Sequence, residues 1–327
     1  MSKARLFFQW ISYLHAVGYD AREALFINVD ETPVPLFMGR RLGYKKRSPG
    51  PALRQAMRVP VNIYQARHHC TVMGAICNQP EVQPLLPQIV LPNTKGAVRV
   101  WNRISRSGGM PLNVHIILGE RGWFTVTSLL KYLSILHSVL STTGYSRVVL
   151  VWDAARSHMS LPVLRRIRRY GWMPLYIPSH MTPYLQPLDV FVFKSLKQCI
   201  HNAVFAQCSR TSSSHVNVED WGKAICQAVG AFFATCTSAA DQMSACGFYV
   251  RNSAVRKTLL SLVLPADLPL IRKLTIGELK TVVGIHSHPM WRRCFPHAVP
   301  DEYLLLPVQL YPPLRRCSSK RCVPPGA

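Results

Sequence analysis

Three short stretches of this chain are apolar almost without interruption and then meet an acid. Arg147 to Asp153 reads RVVLVWD and Leu25 to Asp30 reads LFINVD; Met173 to Pro178 reads MPLYIP, with LQPLD ending in Asp189 shortly after. A strand covered on both faces has this continuous pattern rather than an alternating one, so each stretch is expected to be a buried, parallel-type strand. Asp153 would then stand at a strand's carboxyl end. In open α/β sheets that edge gathers ligands and chemistry, because the strand-to-helix loops present side chains around a shared crevice there.

The other elements follow in order. Residues 5 to 18 place Leu6, Phe7, Trp10, Ile11, Leu14 and Val17 at helical spacing, with Gly18 as the stop. ETPVP after Asn28–Asp30 is expected to end regular structure at Pro33 and Pro35. His69 to Cys77 reads as a second strand with a close-packing Gly74, and Gln83 to Leu91 as a third, bent by Pro84 and Pro87. Residues 92 to 113 are polar, basic and glycine-containing and read as a loop or insertion. Val126 to Leu140 sets Leu129, Leu130, Leu133, Leu136, Val139 and Leu140 on one helical face. RVVLVWD leads into a basic helix, LPVLRRIRRYG, with Pro162 in its first turn and Gly171 as its stop. After MPLYIP and a loop, a helix is expected from near Asp189 to about Cys208.

The order β-β-β-α-β-α-β-α predicts an α/β fold, a mixed five-stranded sheet with helices on both faces. RTSSSH (Arg210 to His215) reads as a linker to a second helical stretch carrying Trp221, Ile225, Val229, Phe232 and Phe233. Beyond Arg251 the chain is rich in prolines and basic residues. The division expected is a connector helix over 1–24, the sheet domain over 25–208, and a helical segment with a basic tail over 209–327.

Charge narrows the function. The 327 residues hold 39 Lys and Arg against 15 Asp and Glu, a formal net charge of +24. Such an excess favours a polyanion, because each phosphate neutralised releases condensed counterions. Nucleic acid is therefore the expected partner. A membrane is not, since no apolar run approaches the roughly 18 to 20 residues that span a bilayer, and no strongly amphipathic basic helix stands out. Gln9, Ser12 and His15 interrupt any signal-peptide core, so an intracellular protein is expected. The ten cysteines form no CxxC pair and read as reduced and packed. One acid-free run, from Arg40 to Arg58, contains Arg40, Arg41, Lys45, Lys46 and Arg47. It is either a solvated face or a strip that contacts phosphates.

Acids are scarce enough for their placement to carry information. Between Thr32 and Val218 only Glu81, Glu120, Asp153 and Asp189 occur. If the strands of Asp30 and Asp153 are neighbours, their carboxylates share one edge, and the loop after Pro178 can return Asp189 to it. Converging like charges disfavour ionisation, and a divalent cation relieves that. Hard oxygen ligands suit Mg²⁺ or Mn²⁺; two such ions about 3.5 to 4 Å apart would serve phosphodiester displacement. Blander roles exist for each residue: a turn at Asp30, a cap at Asp153, a helix N-cap at Asp189. His158 would orient a carboxylate or contact a phosphate, a surface histidine being its default. His286, His288, Cys294 and His297 are too loosely clustered to favour zinc.

NVDET at Asn28 to Thr32, VWDAARSH at Val151 to His158 and YIPSHMTPYLQPLDVFVFKSLK from Tyr176 to Lys197 resemble the catalytic domain of DDE-superfamily transposases of the mariner/pogo (Tigger-like) branch. The resemblance runs from about Leu6 to Cys208, and QPLD is its most specific part. It implies an RNase H-like fold with Asp30, Asp153 and Asp189 as the metal-binding triad. It further implies DNA cleavage and strand transfer with Mg²⁺ or Mn²⁺, two ions and no small-molecule cofactor, in the nucleus, with a homodimer as the assembly. Arg40, Arg41, Lys45, Lys46, Arg47, His158, Lys194 and Lys197 would then be its DNA contacts. Two departures stand out. The family's Asn after the second aspartate is Ala154 here, and the chain is expected to start too late to hold the family's helix-turn-helix reader. A DNA-binding protein without chemistry is the competing expectation.

Overall fold

A computed structural model describes residues 24–35, 69–93, 97–119, 122–211 and 218–248, together with 4, 7, 8, 11, 14, 15 and 19. Six strands form one mixed sheet: β1 (Leu25–Pro35), β2 (His69–Cys77), β3 (Gln88–Pro92), β4 (Val114–Ile116), β5 (Val148–Asp153) and β6 (Met173–Ile177). Their spatial order is β4-β3-β2-β1-β5-β6. β1, β2 and β3 pair antiparallel as the expected meander, while β5 runs parallel to β1, β6 to β5 and β4 to β3. The arrangement is RNase H-like, with helices on both faces.

Those faces explain the uninterrupted apolar runs. Val149 and Val151 of β5 point into one core with Phe26, Ile76, Leu175 and Ile177; Val148, Leu150 and Trp152 point into the other with Leu25, Ile27 and Tyr176. The first core is covered by the helical positions Ala4, Phe7, Phe8, Ile11 and Leu14 of α1 and by α2 (Val98–Ser105), α6 (Phe193–Thr211), α7 (Val218–Ala234) and α8 (Ala239–Ala245). The second is covered by α3 (Val126–Leu140) and α4 (Leu161–Arg169). Each residue from Val148 to Trp152 is thus buried whichever way it points, and alternation has no reason to appear. Trp221, Ile225, Val229 and Phe233 of α7 belong to the first core with the sheet itself.

Gly74 lets α6 and α7 close on the sheet. A Cβ there would stand 2.7 Å from a Phe233 ring carbon and 3.1 Å from one of Phe193, closer than packed atoms tolerate. On the other face, Thr125 and Ser128 cap α3 reciprocally, and Gly171 ends α4 with a φ of 72°.

Four local expectations need correction. β1 does not stop at Pro33; it pairs with β2 as far as Pro35. Leu25 donates its N–H toward β5 and Phe26 accepts the N–H of Asn78 on the β2 side, so odd-numbered residues of β1 face β5. The β5 pairing ends at Asn28, and both prolines therefore lack a donor only where no partner strand needs one. Gln83–Leu85 forms a 3₁₀ turn with a proline in its first turn, and the strand begins only at Gln88. Residues 92 to 113 contain α2, and β4 follows at Val114, so the sheet has six strands and not five. Asp189 does not cap a helix: it lies inside a π-helical turn, Leu188–Val192, that runs into α6. A short helix, α5 (Thr182–Leu185), precedes that turn. The basic run Arg40 to Arg58, the linker after Thr211 and the tail beyond Arg251 lie outside the described residues. No helix among the described residues is long and apolar enough to cross a membrane.

Candidate active site

The pairing of β1 with β5 determines where two of the three aspartates stand. Asn28 is opposite Val151 in a parallel ladder, and Asp30 and Asp153 each follow two positions later. Two positions along a strand return a side chain to the same face. Asp30 therefore shares a face with Phe26 and Asn28, and Asp153 with Val149 and Val151, on adjacent strands and against the first core. This is the neighbour relation that the sequence reading required.

Asp189 arrives by a different route. The segment after β6 turns through α5, and burial of Leu185 and Leu188 in the first core brings it across the ends of β1 and β5. Gln186, fully buried, meets the Asn28 amide at 3.0 Å, and the Leu188 N–H donates to Asn28 Oδ1 at 3.1 Å. Asp189 follows directly, in a π turn that widens the backbone where its side chain leaves.

Charge is handled differently on the two sides of the site. Burial, followed by the negative charge of Asp189 and more weakly that of Asp153, pushes the Asp30 carboxyl up to about 8. Burial also raises Asp189, against a hydrogen bond from Asp30 and the nearby charge of Lys197. Both carboxyls thus stand above the ordinary carboxylate range, as close carboxyl pairs do when ionising both is costly. Burial likewise acts to raise Asp153, yet its bonds to His158 and to the Ala155 N–H outweigh that and hold it below its usual range.

His158 is the structural surprise. The sequence default of a surface histidine does not hold: its ring is 4% exposed and lies flat on Trp152, 4.6 Å between centroids and 2° between planes. Nδ1 donates to Asp153 Oδ1 at 2.6 Å, and Nε2 stands 3.5 Å from Glu31 Oε1. Burial works against its charge, but the two carboxylates prevail and raise it to about 9. The Tyr176 hydroxyl donates to the His158 carbonyl at 3.0 Å and fixes the loop from behind. His158 is thus buried and bonded to the Asp153 carboxylate, an arrangement consistent with the first of its two expected roles.

Lys194 is exposed on the first turn of α6 and Lys197, half-buried, follows three positions on, close enough to lower Asp189. Arg40, Arg41, Lys45, Lys46 and Arg47 lie outside the described residues. Ala154 packs against the second core. Sequence reasoning passed over Asn28, Gln186 and Glu31. The signal for the first was present, since an amide inside an apolar strand must find partners. Among the described residues no group of three or more His, Cys, Asp and Glu forms a ready-made metal cage.

Comparison with known proteins adds a family. The model for the DDE superfamily endonuclease matches residues 69–245, more than half of the chain; that range holds Asp153 and Asp189 and begins after Asp30. Among solved structures the chain is similar to the mariner Mos1 paired end complex with Mg, at 12% identity and a TM-score of 0.44 over 75% of this chain and 62% of that one. It is also similar to the Mos1 Strand Transfer Complex, at 12% identity and a TM-score of 0.41 over 75% and 61%. The chain spans less than two thirds of the length of those proteins. No curated protein matches the sequence.

Proposed function

Because the chain belongs to the DDE superfamily of endonucleases, we propose that it cleaves and joins DNA as a metal-dependent transposase-type enzyme, with Asp30, Asp153 and Asp189 as ligands of Mg²⁺ or Mn²⁺. One observation supports this reading: Asp30 and Asp153 stand on one face of adjacent strands, and the charges of Asp30, Asp153 and Asp189 act on one another. The donor set fits, since hard divalent ions take carboxylate oxygens and would relieve the repulsion that keeps Asp30 protonated. Such ions, when bound, would activate the attacking oxygen and stabilise the leaving one.

The remaining work falls to the chain's own side chains. Asp30, held above its ordinary range, would have to lose its proton to serve as a ligand. Asp153, ionised and steered by His158, needs no such step. Lys197 offsets negative charge beside Asp189, and Lys194 offers a phosphate contact at the same helix start. DNA is the proposed partner and the nucleus the proposed compartment, with a homodimer presenting two such sites. The basic run from Arg40 to Arg47 remains a proposed phosphate strip.

A DNA-binding protein without chemistry is the second reading. It is favoured by Ala154 and by the engagement of Asp153 Oδ1 with His158. Nicking of supercoiled plasmid in Mg²⁺ or Mn²⁺, compared between wild type and Asp153→Asn, separates the two. Metal-dependent nicking that the substitution removes supports the enzyme; binding with no nicking in either protein supports the binder.

A further inference from the structure

Asn28 is a fully buried amide among the apolar residues Leu25 to Val29 at the start of β1, and its bonds leave in three directions. Its Nδ2 donates to the Val151 carbonyl on β5 at 3.2 Å and to Gln186 Oε1 at 3.0 Å, while its Oδ1 accepts the Leu188 N–H at 3.1 Å. Both donors are therefore used, together with an acceptor position. Gln186 returns its own Nε2 to the Val29 carbonyl at 3.3 Å and hydrogen-bonds the Asp30 carboxyl. Each anchor lies one or two positions before an aspartate: Asn28 before Asp30, Val151 before Asp153, Leu188 before Asp189.

We propose that Asn28 and Gln186 are positioning residues, a single amide tie that sets the spacing of the three carboxylates and thereby the affinity of the site for a divalent ion. The inference rests on the metal-site reading above and deepens it. The ladder between β1 and β5 ends at Asn28 and Val151, so beyond that pair no backbone bond holds Asp30 in register with Asp153. Asp189 belongs to a helical turn outside the sheet. Burial of Leu185 and Leu188 draws that turn onto the sheet, but apolar burial is non-directional and leaves position loose. Directional amide bonds tighten it, as partners behind metal ligands do elsewhere.

The test uses the whole chain carrying Asn28→Ala or Gln186→Met, the second keeping volume while removing the amide. Three quantities are read: the melting-temperature shift caused by Mn²⁺, the Mn²⁺ concentration for half-maximal nicking, and affinity for duplex DNA in EDTA. Both variants are expected to need about tenfold more Mn²⁺ or worse, and to lose most of the melting shift. DNA affinity in EDTA should stay within about twofold, because no phosphate-facing charge changes. A folded variant that keeps the wild-type Mn²⁺ response overturns the tie; should Asn28→Ala fail to fold, Gln186→Met decides alone. A wild type with no Mn²⁺ shift overturns the metal-site reading itself, and the tie with it.

Discussion

The two sides of the site solve the same problem in opposite ways. Asp30 and Asp189 act on each other, and burial holds both carboxyls above their ordinary range. Asp153, one strand away, already has a cation: the His158 imidazolium, flanked by Glu31 and pressed on Trp152. Residue type does not separate them, since all three are aspartates. What differs is the partner that the second core supplies. The loop after β5 rests on Trp152 and Tyr176, which seat His158 against Asp153, whereas Asp30 rests on amides and Asp189 has the charge of Lys197 nearby. The proposed metal ion would therefore meet one side whose carboxyls are raised and another whose carboxyl is lowered.

The sharpest way to break this comparison is to remove a ligand from each side. If the proposed metal site is right, Asp153→Asn and Asp30→Asn should both lower Mg²⁺- or Mn²⁺-dependent plasmid nicking by orders of magnitude, because each deletes a carboxylate oxygen offered to a divalent cation. Metal-free DNA affinity should hold for Asp30→Asn, whose carboxyl is raised to about 8, and hold or rise slightly for Asp153→Asn, where one repelling charge is gone. If either substitution leaves nicking intact, the two sides do not form one site.

Proton bookkeeping gives the next test, read as melting temperature against pH in EDTA. Asp30 is raised from 3.8 to about 8, so between those values the folded chain keeps a proton that the unfolded chain releases. Wild-type stability should fall as pH rises through that window, and Asp30→Asn should flatten the fall and melt higher than wild type at pH 8. His158 is raised from 6.5 to about 9; its contribution is present below 6.5 and is lost as pH rises through 9. His158→Gln should remove that later decline and leave the earlier one. Identical pH profiles for the two variants would erase the distinction between the sides.

How much of this was legible depended on how local its cause is. RVVLVWD could be read as a two-faced strand because burial on both sides acts residue by residue, and the face shared by Asp30 and Asp153 followed once the strands were neighbours. β4 could not be read: three residues acquire strand geometry only by pairing with β3. α2 hid among arginines because only Trp101 and Ile104 of its eight residues are buried. Extension of β1 through Pro33 and Pro35 depended on which flank of the strand lacks a partner, which no local pattern records. The bond from Asn28 to Gln186 joins residues 158 positions apart. His158 was visible five residues after Asp153, but its burial came from Trp152 on the opposite face of the strand, a packing fact and not a spacing one.

The smallest expected effect bears on the start of α6. Lys194 and Lys197 each carry one positive charge, and as phosphate contacts each should contribute about 0.9 to the slope of log affinity against log salt. Lys194 is exposed and Lys197 half-buried beside Asp189, whose carboxyl it lowers. Lys194→Ala should therefore shallow the salt slope and do nothing else. Lys197→Ala should shallow it equally and also free Asp189 to rise, so that its proton is held more firmly and more Mn²⁺ is needed at pH 7 than at pH 8.5. Measuring half-saturating Mn²⁺ at both pH values for both variants checks this. An equal pH response in the two lysine variants would mean that Lys197 acts only on DNA, and that the Asp30–Asp189 side balances its charge without it.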